Sequence, residues 1–425
     1  MLNEKDIFYF YNASFDPLPL IKKNLLEDVQ PNPLFLTNAF GVLIDPDIYP
    51  EVLNEKRGTV EAPPIPANWH ADIAEFGAVF RSIDLDEKQN FVMCELGCAW
   101  GCWMNIAGVV AKRNGHSVHL IGVEGDDQFI TLARKTLKDN HFNPDEYTLY
   151  HGIASPTEGT ALFPNHDPNQ TMWGFEPVFD VSGVRKIKYL LTGKYHELQQ
   201  VPLGSILQNH GQIDLLHVDI QGGEENLIPQ CIAHLTAGVS YLVIGTHSRQ
   251  IEGKMFECLT RAGWLLEIER PAILKLTDRP VVTVDGVQGW RNLNLLPVNK
   301  DLKMNGEIKI NDKTEALVLS PAERFSIQVE ITNHTNEVWN SLGPNPINVS
   351  YHWTDTSGNM VIFDGERTQL SGSSIGAKET KEQFVQIVSP QEKGKYKLVV
   401  TLVQEGKRWF ASPDFMEDAI DVVVQ

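Results

Sequence analysis

The chain has 425 residues and a formal charge of −19, with 42% hydrophobic and 21% charged residues. This is the composition of folded globular domains, and it is too much chain for one ordinary core, so two or three domains are expected. So acidic a surface repels phosphate backbones and anionic lipid, which argues against nucleic acid or membrane partners and leaves a small or neutral substrate.

The first residues, Met1-Leu2-Asn3-Glu4-Lys5-Asp6, lack a basic stretch followed by an apolar core, and no run of about 18 apolar residues occurs. Neither a signal peptide nor a membrane span is expected. The five cysteines, Cys94, Cys98, Cys102, Cys231 and Cys258, form an odd, sparse set, which predicts reduced thiols and a cytoplasmic location. The spacing of Cys94, Cys98 and Cys102 is not a zinc pattern, so no metal is expected there; small buried side chains around a tight loop is the better reading.

Residues 1–75 are mixed, with scattered Pro and Asn, and read as an N-terminal extension or cap. The proline-rich run 61–68 ends this region like a rigid connector. A helix is predicted over 69–83 with Asn68 as its cap. Trp69 and His70 at its start either border a substrate pocket or simply pack.

From 76 to 298 strands alternate with helices. Apolar strands are predicted at 91–96, 118–123, 148–153, 213–220, 241–245 and 264–268, with a closing strand near 290–297. Helical patterns cover 103–114, 127–140, 224–235 and 251–262. Strands this apolar are buried on both faces, which predicts a Rossmann-like α/β domain with a seven-stranded, mostly parallel sheet.

In such a sheet a nucleotide-like cofactor lies at the carboxyl ends of the strands, where the chain order reverses. The first strand leads into Cys94-Glu95-Leu96-Gly97-Cys98-Ala99-Trp100-Gly101. The glycines allow a sharp turn and close approach to a ligand, and the following helix offers its N-terminus. A dinucleotide site wants Gly-x-Gly-x-x-Gly, whereas this loop has Gly97-x-x-x-Gly101 with an acid ahead of it. Glu95 suits the amine of a methionine moiety and is poorly placed beside a pyrophosphate, so the loop favours S-adenosylmethionine. At the end of the second strand, Glu124 can accept both ribose hydroxyls, with Gly125 beside it. Asp126 and Asp127 are alternatives as helix caps. The end of the third strand, at Gly152 and Ile153, borders the adenine or is an ordinary turn. The segment 156–200 is read as long and irregular, with Trp173 as a lid aromatic over a substrate or a packing residue.

The fourth strand ends in Asp219-Ile220-Gln221-Gly222-Gly223-Glu224 and the fifth in Gly245-Thr246-His247-Ser248. From 68 to 298 the sequence resembles the FkbM-type methyltransferase family. The likeness rests on Glu95-x-Gly97-x-x-x-Gly101, Val123-Glu124 and these two strand ends. The family pattern at the fourth strand is Asp-Val-Glu-Gly-x-Glu with a lysine two places ahead. Here Asp219 and Glu224 match, Gln221 replaces the family's glutamate and His217 its lysine. The resemblance implies a class I fold and S-adenosylmethionine-dependent O-methylation of a hydroxyl on a sugar, glycan or natural product, as in polysaccharide biosynthesis.

A methyl on sulfonium is already activated, so alignment of the acceptor dominates and a nearby base helps. Asp219 and His247 are the two base candidates. Glu224 orients substrate or sits in the next helix's first turn, where acids are favoured. Asp219 also borders the cofactor, and Gln221 faces the substrate. Asp219 and Glu224 alone lack a supporting ligand set, so no metal is assigned.

After 299 the pattern changes to period-two strands at 325–332, 347–353, 383–388, 396–404 and 419–424, which predicts an antiparallel, immunoglobulin-like β-sandwich over 299–425. Its aromatics, Trp339, Tyr351, Trp353, Trp409 and Phe410, are core or a glycan surface. This module serves as a scaffold or homodimer contact, or binds glycan. The rival to an enzyme is therefore a non-catalytic methyltransferase fold that recruits glycan through the sandwich.

Overall fold

The computed structural model describes residues 4–86, 88–165, 174–298, 302–311, 317–343 and 345–425. The chain divides into two compact units, Met1–Asn12 with Leu20–Val298, and Ala13–Pro19 with Asn299–Gln425.

The first unit is built on seven principal strands: β1 Asn90–Leu96, β2 Ser117–Glu124, β3 Tyr147–His151, β4 Ile213–Val218, β5 Val239–Thr246, β6 Trp264–Arg270 and β7 Gly286–Asn292. Their order across the sheet is β3-β2-β1-β4-β5-β7-β6. Strands β1 to β5 are mutually parallel, and β7 runs antiparallel between β5 and β6. All residues of β4 and β5 are buried, which explains why they read as continuous apolar runs and not as alternations. Strand order reverses between β1 and β4, and this is where a crevice opens at the carboxyl ends of a doubly wound sheet.

The principal helices are α1 Ile73–Leu85, α2 Cys102–Arg113, α3 Asp127–Asp139, α4 Leu203–His210, α5 Glu224–Gly238 and α6 Arg249–Arg261. Helix α1 starts later than the proline-rich connector suggests. Asp72 caps it, accepting from Ala74 N at 2.8 Å and Glu75 N at 3.3 Å. Asn68 instead closes a turn, accepting from the N–H groups of His70 and Ala71. Trp69 and His70 therefore lie outside the helix. The Asp72 carboxylate also pairs with the buried Arg270 at the end of β6, so one acid fixes both a helix start and a strand end. Asp126 caps α3, with Gln128 N donating at 2.8 Å.

Two strands are placed differently from the sequence expectation. The third strand does not run on to 153: β3 ends at His151, and Ile153–Ser155 pairs in a separate sheet with Tyr195–Pro202, which also pairs Thr160–Pro164. The segment 156–200 thus contains these strands and the helix Gly183–Leu191, and is not irregular throughout. The closing strand lies at Gly286–Asn292, not 290–297. Its sequence is not apolar, yet it is wholly buried. Glycine at 289 is required by close packing, since a Cβ there would come within 2.7 Å of Ile268 Cγ2. Its polar side chains are bonded internally: Asn292 Nδ2 donates to the carbonyls of Thr236 and Val239 at 2.9 and 2.8 Å. The apolar pair Leu295-Leu296 belongs to the turn after the strand, with Leu296 N donating to Asn292 O.

The second unit is a β-sandwich. One sheet orders Thr380–Val388, Arg324–Asn333, Gly306–Ile310 and Phe415–Met416; the other runs Leu317–Leu319, Asp418–Val424, Gly394–Gln404, Ile347–Asp355 and Met360–Ile362. The long pairings are antiparallel, and two short edge pairings are parallel. Trp339, Tyr351, Trp353 and Phe410 lie in the core between the sheets. No described helix of the chain is long and apolar enough to cross a membrane.

Candidate active site

At the carboxyl ends of β1, β2 and β4 the first unit opens into a cleft of about 1130 Å³. That volume lies just above the range of small-molecule sites, about 300–1,000 Å³, and has room for a cofactor beside an acceptor.

The β1 loop forms one wall. Gly97 has φ +76°, and a Cβ there would fall on the Asp219 carbonyl oxygen, well inside the 3.0 Å that real Cβ atoms keep. Asp219 N in turn donates to Leu96 O at 3.1 Å. The two strand ends are therefore in backbone contact, which only glycine permits. Ala99 and Gly101 also have positive φ, and Gly101 immediately precedes α2. Gly97 and Cys98 border the cleft, whereas Gly101 does not. Cys98 is buried, its thiol pushed well up by burial, and its N–H donates to Val123 O at 3.1 Å.

Glu95 also borders the cleft, but both its oxygens already accept from the start of α2, from Trp103 N at 3.3 Å and Met104 N at 2.9 Å. Burial raises its pKa to about 7 against the opposing pull of His217 and those N–H groups. Its first role is to cap the helix from inside the sheet. Glu124 behaves similarly. Oε2 accepts from Ala99 N at 2.9 Å and Oε1 from Asp126 N at 2.8 Å, so this side chain holds the β1 loop against the β2 loop. Burial raises its pKa while these N–H bonds oppose the rise. Gly125, Gly152 and Ile153 continue this wall. Gly152 N donates to Glu124 O at 2.9 Å, and a Cβ on Gly152 would meet Val201 Cγ2 at 2.6 Å.

The opposite wall is the β4 loop. Asp219 borders the cleft and is half-exposed; Glu224 and His247 lie behind it. Glu224 is fully buried at the start of α5, and its Oε1 accepts from Ile220 N at 2.7 Å. The His247 imidazole sits between two acids, Nε2 at 3.2 Å from Asp219 Oδ1 and Nδ1 at 3.4 Å from Glu224 Oε1. Burial works against its charge, but the two carboxylates outweigh it and raise its pKa to about 10. With no further ligand the two carboxylates favour the protonated ring. A protonated ring has no lone pair to take a proton, which weighs against His247 and for Asp219 as the base. Burial would raise Asp219, but His247 and His217 hold it below the ordinary carboxylate value. Gln221 adopts φ +55° and donates through Nε2 to Asp219 Oδ1 at 3.2 Å, at the cleft edge.

Trp69 and His70 border the cleft from the turn before α1. Trp69 stacks on Trp100 with centroids 6.4 Å apart, and burial lowers the pKa of His70 to about 3, leaving it neutral. Trp173 lies outside the described residues. Two groups carried no signal in the sequence. Glu75 on α1 reaches His217 Nε2 at 3.0 Å, and His217 stacks on Trp103 at 5.4 Å. Asp285, just before β7, lines the cleft, and burial raises its pKa. Neither is adjacent in sequence to any motif, and only the fold brings them in.

The strand order, the antiparallel β7 and the glycine loop at the switch point define a Rossmann-like class I methyltransferase domain. A protein of Jannaschia sp. (strain CCS1) named "Putative methyltransferase" is 41% identical over 263 residues, which span 61% of this chain and 93% of that protein. The chain belongs to this methyltransferase family. No protein-family model matches the chain. Among solved structures, the human methyltransferase 10 domain containing protein aligns with a TM-score of 0.31 at 13% identity, covering 57% of this chain and 92% of that one. Precorrin-6y C5,15-methyltransferase from Geobacter metallireducens GS-15 aligns with a TM-score of 0.28 at 14% identity, covering 50% and 86%.

Proposed function

We propose that the chain transfers the methyl group of S-adenosylmethionine to a hydroxyl of a sugar or glycan. The observation that carries this reading is the backbone contact between Gly97 and Asp219, which sets a cofactor-type loop directly against a charged carboxylate. When bound, S-adenosylmethionine supplies a methyl already activated on sulfonium.

The donor set fits that cofactor. The glycine-lined β1 loop leaves room for close backbone approach, and Glu124 keeps further lone pairs for ribose hydroxyls after accepting two N–H bonds. Glu75, Glu95, Asp219 and Asp285 make the cleft acidic, which favours a cationic sulfonium and ammonium over a pyrophosphate. Around the acceptor, Gln221 donates to Asp219 Oδ1, the His247 ring lies 3.2 Å from it, and Oδ2 takes the hydroxyl proton as the new C–O bond forms and the carbon–sulfur bond breaks. His247 keeps Asp219 ionised, and Glu224 keeps His247 in place; both are positioning residues. Trp69 and His70 enclose the acceptor side of the cleft and exclude water.

Titration calorimetry with S-adenosylmethionine, followed by turnover of candidate sugars, tests the reading. Binding and a methylated sugar product are expected, with Asp219→Ala lowering kcat about 10²–10⁴-fold. No binding at submillimolar cofactor rejects it.

A second reading, glycan recruitment by the second unit without catalysis, is favoured by one surface feature. Phe363, 54% exposed, stacks on His352 at 4.9 Å beside Trp409, and Arg367 lies 5.1 Å over the Trp409 ring. Such ring faces suit a sugar, and glycan binding lost in Phe363→Ala without any cofactor binding supports this second reading over the first.

A further inference from the structure

Asp219, Glu224 and His247 come from two different strand ends and a helix start, and one donor atom from each lies within 4.8 Å of the others. Their separations of 3.2 and 3.4 Å are short, yet neither imidazole nitrogen makes an aligned hydrogen bond with its carboxylate. A self-sufficient ion pair would point N–H at oxygen, because hydrogen bonds weaken steeply below about 120°. The two approaches use opposite nitrogens of one ring, so a shared cation would take one of them together with an oxygen from each carboxylate, and such a set of donors lies within 4.8 Å of one another. Atoms about 2.1 Å from an octahedral ion stand about 3 Å from one another, each aiming a lone pair at the centre and not at its neighbour.

A second observation points the same way. Glu224 is fully buried, and its Oε2 has no hydrogen-bond partner. A buried carboxylate oxygen left unpaired is unfavourable, and a cation removes that penalty. The surroundings hold the donors in place. Ile220 N fixes Glu224 through Oε1, and the Gln221 amide fixes Asp219 through Oδ1.

We propose that Asp219, Glu224 and His247 bind a divalent transition-metal cation, with Mn²⁺ as the representative ion. One imidazole with two carboxylates suits Mn²⁺, Fe²⁺ or Zn²⁺ better than the all-oxygen shells of Ca²⁺. Two carboxylates and a neutral imidazole also balance a double positive charge. The sequence reading assigned no metal because Asp219 and Glu224 alone make too small a set; the fold adds His247 from β5.

The use of this ion rests on the hydroxyl-acceptor reading given above. Held by these residues, the ion would supply Lewis acidity that eases loss of the proton from an acceptor hydroxyl beside Asp219. The hydroxyl oxygen then bonds to the methyl carbon, the carbon–sulfur pair stays on sulfur, and the proton goes to Asp219 Oδ2.

The test uses the full chain, stripped with a chelator and titrated with Mn²⁺ while the spectrum of the free ion is followed by electron paramagnetic resonance. One ion per chain at micromolar metal is expected. His247→Ala and Asp219→Asn should weaken it by more than about tenfold. Asp219 is half-exposed, so its asparagine variant serves if the His247 variant fails to fold. No uptake of Mn²⁺ or Zn²⁺ by folded protein at submillimolar metal overturns the proposal, as does unchanged uptake by the Asp219 variant. A parallel titration with S-adenosylmethionine separates the two readings. Cofactor binding without metal uptake overturns the metal site alone; metal uptake without cofactor binding upholds the site and overturns the methyl-transfer reading.

Discussion

Gly97→Ala probes the contact on which the cleft depends. At φ +76° an alanine loses about 1–2 kcal/mol from backbone strain alone. Its Cβ would also coincide with the Asp219 carbonyl oxygen and lie 3.3 Å from Ile220 Cγ2. Neither neighbour can swing away. The carbonyl is backbone, and the strands beneath it are locked in register with Leu96 opposite Val218 and Asp219 N bonded to Leu96 O. Relief requires the strand ends to part, at about 1–3 kcal/mol typical of overpacking. The sum, about 2–5 kcal/mol, corresponds to a fall in Tm of roughly 5–15 °C for a domain of this size. Parting the walls by about 1 Å should also cost on the order of 10²-fold in methyl transfer. Urea denaturation and a methyl-transfer assay measure the two effects, and cofactor calorimetry reports on the loop itself. Gly115→Ala is the control: it shares a positive φ of +95° but has nothing within 4 Å of a built Cβ, so it isolates the strain. If both variants lose the same stability, and Gly97→Ala binds cofactor like the parent chain, the close-contact argument is wrong.

Glu124→Gln turns one acceptor oxygen into a donor facing the N–H of Ala99 or Asp126. Cofactor affinity should fall by more than about tenfold through the misplaced loop, as read by calorimetry. Glu267 lies buried between Arg81, at 3.1 Å, and Arg291, at 3.3 Å. Burial works against its charge, but the two arginines outweigh it and hold its pKa below the ordinary carboxylate value. Glu267→Ala takes the buried carboxylate from Arg291 and leaves Arg81 with the more distant Asp84, and should cost about 3–5 kcal/mol in denaturant titrations at pH 7. Because its folded value is depressed, its contribution is present above the unfolded value of about 4.3 and lost as pH falls through the folded one. The stability gap between parent and variant should therefore narrow in acid; a gap unchanged down to pH 3 contradicts the pairing. His217 is raised because the Glu75 hydrogen bond and charge outweigh burial, so Glu75→Gln should lower the midpoint of its ring resonance in an NMR titration. An unmoved midpoint means that the pair does not form in solution.

Much of the fold is legible in the sequence because parallel strands buried on both faces leave apolar runs that need no partner to be recognised. Strands β1, β2, β4 and β5 are such runs. β7 is not, because its burial is achieved with glycines and internally bonded polar side chains, and that compensation exists only after the neighbours are in place. The end of β3 misleads for a related reason: Gly152 diverts the chain into a second sheet whose partner strand comes over forty residues later. The site divides along the same line. Acids and glycines at strand ends are local signals, so Glu95, Glu124, Asp219 and Glu224 stand out at once. What each acid touches is not local. Glu95 turns to its own helix, Glu124 to the neighbouring loop, and Glu75 meets His217 across 142 positions. The state of His247 depends on two carboxylates converging from separate segments, which no spacing rule encodes.

The backbone contact between Leu96-Gly97 and Asp219 makes the cofactor wall and the reaction wall a single mechanical part. Leu96 O receives the Asp219 N–H, and the Asp219 carbonyl abuts Gly97, so the Asp219 main chain is placed relative to the first loop by backbone alone. Glu124 then fixes that loop through Ala99, while Glu224, through Ile220, fixes the other. Two acids thereby act through main-chain N–H groups to hold the two loops, and on the proposed reading they fix the distance between a bound donor's methyl group and the acceptor oxygen. Alignment is the largest demand of transfer from an activated methyl. It follows that loop substitutions such as Gly97→Ala should disturb transfer by displacing the walls, whereas Asp219→Ala should lower kcat with cofactor affinity largely retained. A substitution in the β4 loop that alters the acceptor's KM and leaves every property of the donor site untouched would show that the two walls move independently.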